Sequence, residues 1–173
     1  MLGSFPPSRS RWCMDFFYPN FQNDMWRIFG LVFFADKDHF VDLPARRFRQ
    51  SDIEAFLRAR GIALYDTATA VVRTRNTASD KDLEIVQPTD LDALLSQLPQ
   101  CAAVVATGQK SCDVLSAHFG VTAPPVGGSV TFSWQGRTMQ LLRMPSSSRA
   151  YPLPLQQKAR YYEAIVPFTN TNQ

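Results

Sequence analysis

Apolar and polar positions change along the chain in a way that predicts strands and helices in turn. Residues 62–68 and 102–108 are short apolar runs next to glycine, which is typical of buried parallel strands. Residues 130–134 and 137–144 alternate polar and apolar side chains around a Gln-Gly turn, which predicts a hairpin. Because strands and helices follow each other, we expect an α/β sandwich around a mostly parallel sheet.

The helices are predicted from apolar side chains at helical spacing and from capping residues. One helix begins after Asn23 or Asp24, which are both suitable N-cap residues. Ser51 and Glu54 match a capping box, and Gly61 is placed to end the helix that they begin. The segment 73–88 is predicted to be polar and turn-rich. The later helices are predicted over residues 51–60, 89–98, 110–119 and 156–166.

Length and composition limit the class of protein. The chain has 173 residues, which predicts a single domain over residues 1–173. With 45% hydrophobic and 19% charged residues, intrinsic disorder, coiled coils and collagen-like repeats are excluded as descriptions of the whole chain. The net charge is +3 and arginine outnumbers lysine, so a polyanionic partner is permitted, because guanidinium groups suit phosphate well.

Cysteine content and hydropathy bear on the compartment. The 3 cysteines include no CxxC pair, so neither a disulfide framework nor a zinc or iron–sulfur site is expected. No apolar run approaches the length of a membrane span, and the first residues do not resemble a signal peptide. We therefore expect a soluble, cytoplasmic protein.

Ligands bind beyond the carboxyl ends of parallel strands, so the residues that follow each predicted strand are the first candidates for a site. Almost no strand precedes the turn at residues 3–7, as if the sequence began inside an element. The strand ends carry hydroxyls, guanidinium groups and aromatic rings, a set that suits phosphate binding with base stacking and that contains no catalytic triad. The candidates are Ser4, Phe5, Ser8, Arg9, Arg11, Phe17, Tyr18 and Asn23 after the first strand, Asp66 after the second, residues 107–110 after the third, and Ser146, Ser147, Ser148 and Arg149 after the last.

Three segments in this order resemble the motif regions of a known enzyme superfamily. They are the opening Gly3-Ser4-Phe5-Pro6-Pro7-Ser8, the block Phe17-Tyr18-Pro19-Asn20-Phe21-Gln22-Asn23-Asp24-Met25-Trp26, and the late Met144-Pro145-Ser146-Ser147-Ser148-Arg149. The superfamily is that of the uracil-DNA glycosylases. The closest resemblance is to its hypoxanthine-DNA (deoxyinosine) glycosylase branch, which has a GSFP-type first motif, a tyrosine-rich block and an LPS-type second motif.

The resemblance implies a fold and an activity. The implied fold is a three-layer α/β/α sandwich with a short, mostly parallel central sheet. The implied reaction is hydrolysis of the bond between a deaminated base, such as hypoxanthine or uracil, and deoxyribose, which leaves an abasic site in base excision repair. Such an enzyme flips the nucleotide out of damaged or mismatched DNA, duplex or single-stranded, and needs neither metal nor cofactor. We expect it to act as a monomer.

The resemblance also implies roles for the residues near the base. Tyr18 stacks on the flipped base, and Phe17 takes this place if the alignment slips by one residue. The amide of Asn23 holds the attacking water or the base edge, with helix capping as the alternative or additional role. The backbone amides of Ser4 and Phe5 donate to a base oxygen.

Other residues are expected to hold the DNA. The Ser8, Arg9 and Arg11 segment is expected to contact phosphate. Asp66 is a base-binding candidate by its position at a strand end, with a turn or capping role as the alternative. In the superfamily pattern, the loop that compresses the DNA backbone and fills the gap left by the flipped nucleotide corresponds to Ser146, Ser147, Ser148 and Arg149.

Two alternatives to an active glycosylase stay open. Phe5 stands where other branches of the superfamily carry a water-activating Asp or Asn, and Met144 stands where they carry His or Asn. These two departures favour a catalytically silent member that binds DNA through Tyr18, its serines and its arginines. The second alternative is an unrelated α/β nucleotide-binding protein, against which the absence of GxGxxG and GxxxxGK[ST] motifs argues.

Overall fold

The computed structural model describes residues 1–73 and 83–170, which form two compact units. The sheet unit comprises Met1–Phe5 and Tyr65–Met144, and the helical unit comprises Pro6–Leu64 and the chain from Pro145 onward. The single domain over residues 1–173 stays a prediction. In the described part of the chain, no helix has both the length and the apolar character that a membrane crossing requires.

Strands and helices come in the following order. The strands are β1 (Leu2–Gly3), β2 (Val41–Asp42), β3 (Arg47–Phe48), β4 (Tyr65–Asp66), β5 (Ala68–Arg73), β6 (Leu83–Pro88), β7 (Ala103–Ala106), β8 (Ser129–Trp134) and β9 (Arg137–Arg143). The helices are α1 (Met25–Phe34), α2 (Gln50–Arg60), α3 (Leu91–Ser96), α4 (Gln109–Phe119) and α5 (Leu155–Tyr162), with 3-10 helices at Arg9–Arg11 and Glu163–Phe168.

The sheet unit is built on a five-stranded sheet in the order β4-β1-β7-β9-β8. Strands β4, β1, β7 and β9 are parallel, and β8 pairs antiparallel with β9. Helix α4 packs against β7, β8 and β9, and its buried side chains Cys112 and Leu115 join the core together with Leu141. The predicted α/β fold class with a short, mostly parallel sheet is confirmed.

The hairpin of β8 and β9 forms as predicted. Its turn residues, Gln135 and Gly136, have φ values of 47° and 78°. Positive φ at both central residues characterises the type I′ turn, whose twist matches that of the two strands. Strand pairing then joins Trp134 to Arg137.

Two strand predictions are corrected. Within the predicted strand 62–68, only Tyr65–Asp66 pairs with β1, and Ala68 already begins β5. The segment 73–88 is predicted to be polar and turn-rich, but its described end, Leu83–Pro88, forms a strand that pairs antiparallel with β5. This strand is stabilised by cross-strand pairing with its neighbour, which the composition of the segment does not reveal. Residues 74–82 of that prediction lie outside the described residues.

The helical unit is organised by aromatic packing. Helix α1 packs against α5, and the rings of Phe29, Phe33 and Phe40 each contact Phe56 of α2. Helix α2 ends at Gly61, whose φ of 67° is left-handed, as predicted.

The predicted capping box of α2 is wrong. The helix begins at Gln50, so Ser51 lies inside its first turn and cannot occupy the N-cap position. Glu54 accepts a hydrogen bond from the Gln50 side chain at 2.8 Å instead. The N-cap residue is Arg49, and its side chain makes no capping hydrogen bond.

We expect replacement of Gly30 by alanine to destabilise the protein. A glycine-to-alanine change inside a helix ordinarily adds about 0.5 to 1 kcal/mol of stability. Here the new Cβ would overlap the backbone carbonyl oxygen of Asp36, so the expected change is a loss of about 1 to 3 kcal/mol in the free energy of unfolding. Urea unfolding measures it. The control is Gly120→Ala, where φ is 65° and no atom lies near the added Cβ, so only left-handed strain is introduced.

Candidate functional site

The loop before α1 is anchored to that helix by a buried tryptophan. Trp26 is fully buried, and its indole N–H donates to the carbonyl oxygen of Phe17 at 3.1 Å. The backbone N–H of Cys13 donates to the carbonyl of Pro19 at 2.9 Å and closes the loop. The aromatic loop, residues 13–19, is therefore held at both its middle and its ends.

Tyr18 has a strained backbone within the aromatic loop. Its φ of 50° is left-handed, which is uncommon for a bulky side chain and costs roughly 1 to 2 kcal/mol. Its half-buried ring meets Trp26 edge-on, with ring centroids 6.1 Å apart. The neighbouring ring of Phe17 packs against Phe16 at 5.3 Å. Strain of this kind persists where the surroundings fix the conformation, and it is concentrated at functional sites.

Asn23 caps α1 by its side chain. Its Oδ1 atom accepts the backbone N–H of Met25 at 2.9 Å, and its own backbone N–H donates to the carbonyl of Asn20 at 2.8 Å. Asp24 occupies the N-cap position but makes no side-chain capping bond. Among the described residues, the Nδ2 amide of Asn23 has no hydrogen-bond partner, so capping leaves a donor available. The N-cap position therefore belongs to Asp24 and not to Asn23, but the Asn23 side chain still bonds the first backbone N–H of the helix, which is compatible with a second role.

Arg27 bonds to the backbone on either side of Gln22 and so supports the segment that carries Asn23. This support is not predicted from the sequence. Its Nη1 atom donates to the carbonyl oxygens of Phe21 at 2.8 Å and of Asn23 at 3.3 Å. The guanidinium carbon lies 4.7 Å from the ring centroid of Phe21 and 5.3 Å from that of Phe48. Burial, and next the positive charge of Arg149, lower the pKa of the guanidinium. The available signal was the spacing of Arg27 one helical turn after Asn23.

Asp24 joins α1 to the serine loop, which we define as residues 146–149. Its backbone N–H donates to the carbonyl of Ser147 at 2.9 Å. Its carboxylate accepts from Arg149 Nε at 3.3 Å and from Lys158 Nζ at 2.9 Å. Lys158 is fully buried and also donates to the carbonyl of Ser148 at 2.7 Å. Segments that are more than one hundred residues apart in sequence are thus held together by one charged cluster.

Neither Asp24 nor Lys158 is predicted from the sequence as a site residue. A signal existed for Lys158, because it shares one face of α5 with Leu155, Ala159 and Tyr162 at helical spacing. A lysine on an otherwise buried face requires a partner of opposite charge.

The serine loop is ordered by its own hydroxyls. The Ser146 hydroxyl accepts the backbone N–H of Ser148, and the Ser148 hydroxyl accepts that of Ala150, both at 3.2 Å. Ser147 is buried, Ser146 and Ser148 are half-buried, and Arg149 is exposed. The surface of the loop is therefore formed by Ser146, Ser148 and Arg149, while Ser147 contributes its backbone carbonyl to Asp24.

The arginines near the N-terminus lie at the surface. Arg9 pairs with Asp15 at 3.4 Å, and both side chains are about four-fifths exposed. Its guanidinium also lies 4.9 Å from the ring centroid of Trp12. Arg11 is exposed, and the hydroxyls of Ser8 and Ser10 are 3.1 Å apart. Exposed ion pairs of this kind exchange easily for other partners.

The sheet unit carries the remaining predicted residues at one end of its sheet. Gly3 pairs with Asp66, so Ser4 and Phe5 follow β1 at the same end at which Asp66 closes β4. Ser4, Phe5 and Asp66 are all half-buried. The carbonyl of Asp66 accepts the Thr89 hydroxyl at 2.6 Å.

Two buried threonines donate hydrogen bonds to strand β1 at this end of the sheet. The Thr67 hydroxyl donates to the carbonyl of Gly3, and that of Thr107 donates to the carbonyl of Leu2, both at 3.2 Å. Met144 follows β9, is 1% exposed, and donates its backbone N–H to the carbonyl of Ala106 at 2.8 Å. The side chain at this strand end is therefore a buried thioether, which is a weak acceptor and no donor.

The structure thus separates the predicted site residues into two groups, each within one unit. The sheet unit holds Ser4, Phe5 and Asp66, and the helical unit holds Ser8, Arg9, Arg11, Phe17, Tyr18, Asn23, Ser146, Ser147, Ser148 and Arg149. In residues 1–73 and 83–170, no group of three or more His, Cys, Asp or Glu side chains is placed to hold a metal ion.

Comparison with solved structures identifies a similar fold. A solution NMR structure of a putative uracil DNA glycosylase from Methanosarcina acetivorans matches with a TM-score of 0.58 and 19% sequence identity. The match covers 95% of this chain and 86% of the other. The two chains share a fold. No protein-family model matches the chain, and neither does any curated protein.

Tyr162 of α5 contacts the residue that precedes the serine loop. Its fully buried hydroxyl donates to the carbonyl of Pro145 at 2.9 Å. Burial, together with the nearby Tyr18 hydroxyl, raises the pKa of Tyr162 well above its usual value. The phenol therefore remains a neutral donor in the folded protein.

We expect Tyr162→Phe to lower the free energy of unfolding by about 1 to 3 kcal/mol, because the Pro145 carbonyl loses its donor. The same contact predicts an alkaline effect. In the unfolded chain a tyrosine ionises near pH 10, about its usual pKa, whereas Tyr162 in the folded protein keeps its proton at that pH. The contribution of Tyr162 to the free energy of unfolding is therefore complete below pH 10 and is lost as the pH rises above it. Urea titrations across this range should show a steeper decline for the wild type than for Tyr162→Phe. Equal declines would contradict the assignment.

Proposed function

We propose that this chain is a DNA glycosylase of the uracil-DNA glycosylase superfamily. The reaction is hydrolysis of the N-glycosidic bond of a flipped deaminated base, hypoxanthine or uracil, which leaves an abasic site. The observation that carries the proposal is the bonding of Asp24 to Ser147 and Arg149. It joins the two segments of the helical unit that resemble motifs of that superfamily, in a chain that shares the fold of a protein described as a putative uracil DNA glycosylase.

Asn23 is the proposed catalytic residue. As the bond breaks, the base leaves with the electron pair and the sugar gains positive charge, so a fixed donor to the base lowers the barrier. Asn23 is fixed by its bonds to Asn20, Met25 and Arg27, and its Nδ2 amide remains available. Fixing the donor before substrate arrives means that little reorganisation is required during the reaction.

In the helical unit, base stacking is proposed for the aromatic loop. Tyr18, or Phe17 beside it, stacks on the extruded base, since a flipped base must be held by aromatic or apolar side chains. The backbone of Tyr18 is left-handed, and its ring packs edge-on against Trp26 of α1. In the sheet unit, the backbone amides of Ser4 and Phe5 are proposed to donate to a base oxygen, and Asp66 to contact the base edge.

DNA is the proposed partner, damaged or mismatched and duplex or single-stranded. Ser146, Ser148 and Arg149 form the exposed surface of the serine loop, with Ser147 supporting it from within. Ser8, Arg9 and Arg11 offer a second set of phosphate contacts. Binding through these groups should weaken steeply with salt, because phosphate contacts release counterions. A monomeric, cytoplasmic enzyme without a cofactor is the simplest form of the proposal.

A catalytically silent DNA-binding member of the same superfamily is the second candidate. It is favoured by two side chains, those of Phe5 and Met144, neither of which can accept a proton from water. Met144 is buried beneath the strand end. On this proposal the chain binds a lesion through Tyr18 and the serine loop without releasing the base.

The two candidates are separated by one assay. Purified protein is incubated with labelled duplexes that carry a single hypoxanthine, uracil, xanthine or thymine mispair, and alkali then cuts any abasic site. Cleavage at a lesion, absent from an undamaged duplex of the same sequence, is the expected result. Binding in a shift assay without cleavage at any lesion would favour the silent member, and loss of both would overturn both candidates.

A further inference from the structure

The Asp24 carboxylate lies between two cations of different accessibility. Lys158 is on the inner side, with a side chain that is 1% exposed and an Nζ–Oδ2 distance of 2.9 Å. Arg149 is on the outer side, with a side chain that is 52% exposed and an Nε–Oδ1 distance of 3.3 Å. The Asp24 side chain is 10% exposed. One partner is thus fixed inside the unit, and the other is at the surface.

The two cations also differ in what else they hold. Lys158 donates to the carbonyl of Ser148, so it supports the serine loop as well as the carboxylate. Arg149 belongs to the serine loop itself, and its Nε is bonded to Asp24 across 125 positions of sequence. If Arg149 turned toward a ligand, Asp24 would keep the Lys158 bond and would not become a buried unpaired charge.

An unpaired buried charge is strongly unfavourable, whereas a buried pair that stays intact is not. The inner lysine therefore makes the outward movement of Arg149 less costly. Helix α1 adds to this effect, because Asp24 occupies its N-cap position, where the helix dipole favours negative charge.

We propose that Asp24 and Lys158 are positioning residues for Arg149. They keep its guanidinium bonded within the free protein and allow it to leave Asp24 when DNA binds. In the free protein Asp24 holds the guanidinium against the serine loop. When DNA binds, Arg149 leaves the Asp24 carboxylate and contacts the DNA. The negative charge of Asp24 is then balanced by Lys158 alone. This inference rests on the proposed function in that the ligand is DNA, but it does not require that a base be released.

The test compares DNA affinity among five variants. The probe is a duplex with a stable abasic-site analogue, and the control is Arg160→Met, which removes one positive charge from an exposed position of the same helix. Lys158→Met should bind about tenfold more weakly than Arg160→Met, because Arg149 must then stay with Asp24; a charge-assisted hydrogen bond has about this effect on an equilibrium. The double variant Asp24→Asn with Lys158→Met should bind within about twofold of the control, because no buried charge is left behind.

A merely structural role for Lys158 predicts the opposite order. In that case the double variant, which loses more contacts, binds no better than Lys158→Met. The variant that combines Asp24→Asn, Arg149→Met and Lys158→Met leaves no buried charge unpaired, and it should bind no more weakly than Arg149→Met alone, since the lysine acts through the arginine. If Lys158→Met does not fold, the test rests on the double variant Asp24→Asn with Lys158→Met. A folded double variant that binds as weakly as Arg149→Met overturns the proposal.

Failure of the proposed function gives a different result. Base release by the wild type on hypoxanthine and uracil duplexes is measured in parallel. A wild type that binds the probe but releases no base overturns the glycosylase proposal, while the order of affinities among the variants still decides the roles of Asp24 and Lys158. A wild type that does not bind the probe overturns both.

Discussion

Asn23→Ser is expected to reduce base release by about 100- to 1000-fold, the range found when one preorganised donor is removed from a charge-stabilising site. A serine at this position can still accept the Met25 backbone N–H, because serine is as good a capping residue as asparagine. Its hydroxyl is a donor, but it is one bond too short to reach the position of the Asn23 Nδ2 amide. The variant should therefore fold with nearly the stability of the wild type, and it should retain its affinity for DNA. Single-turnover cleavage of a hypoxanthine duplex measures the rate.

Asn23→Ala provides the comparison. It removes both the donor and the cap, so it should lose the same activity and in addition about 1 kcal/mol of stability. Asn20→Ala, which keeps Asn23 in place through the backbone bond between the two residues, serves as the matched control for the loop. Turnover of Asn23→Ser close to that of the wild type would reject Asn23 as the catalytic residue.

Trp26→Ala is expected to have the largest effect on stability, about 3 to 5 kcal/mol, since a fully buried tryptophan is replaced by a methyl group. The rings of Phe29 and Tyr18 lie edge-on to Trp26, at 5.6 Å and 6.1 Å between centroids. A loss of this size is a large share of the stability of a small domain. Thermal and urea unfolding measure it.

Trp26→Phe separates packing from hydrogen bonding. It keeps an aromatic ring in the core but removes the indole donor to Phe17, so the aromatic loop loses one anchor. The expected loss of stability is about 1 to 3 kcal/mol. Because the loop presents Tyr18, base release should fall more than DNA affinity does. Unchanged base release in a folded Trp26→Phe variant would show that this anchor does not control the position of Tyr18.

The parts of the fold that the sequence predicts are those fixed by local chemistry. Gln135 and Gly136 both take positive φ, which is what a two-residue hairpin turn demands. Gly61 ends α2 for the same local reason. The capping box at Ser51 fails because the helix begins one residue before it, and a sequence pattern does not fix a helix boundary to a single residue.

The candidate site can be predicted from the sequence only in part. Its individual residues are suggested by hydroxyls, guanidinium groups and aromatic rings at strand ends, and by resemblance to a superfamily. The bond between Asp24 and Lys158 spans 134 positions, and no local pattern specifies it. The support of Asn23 by Arg27 is closer in sequence, but only burial between Phe21 and Phe48 distinguishes Arg27 from a surface arginine.

As a glycosylase, the protein is proposed to cut the N-glycosidic bond and to leave the DNA backbone intact. The decisive experiment is to incubate the protein with a duplex carrying one hypoxanthine, or one uracil, and to quantify the free base and the abasic site by mass spectrometry. We predict equal amounts of free base and abasic site from the wild type, and neither from Asn23→Ser. The claim is contradicted if no free base appears from either duplex, or if the backbone is cut before the base is released.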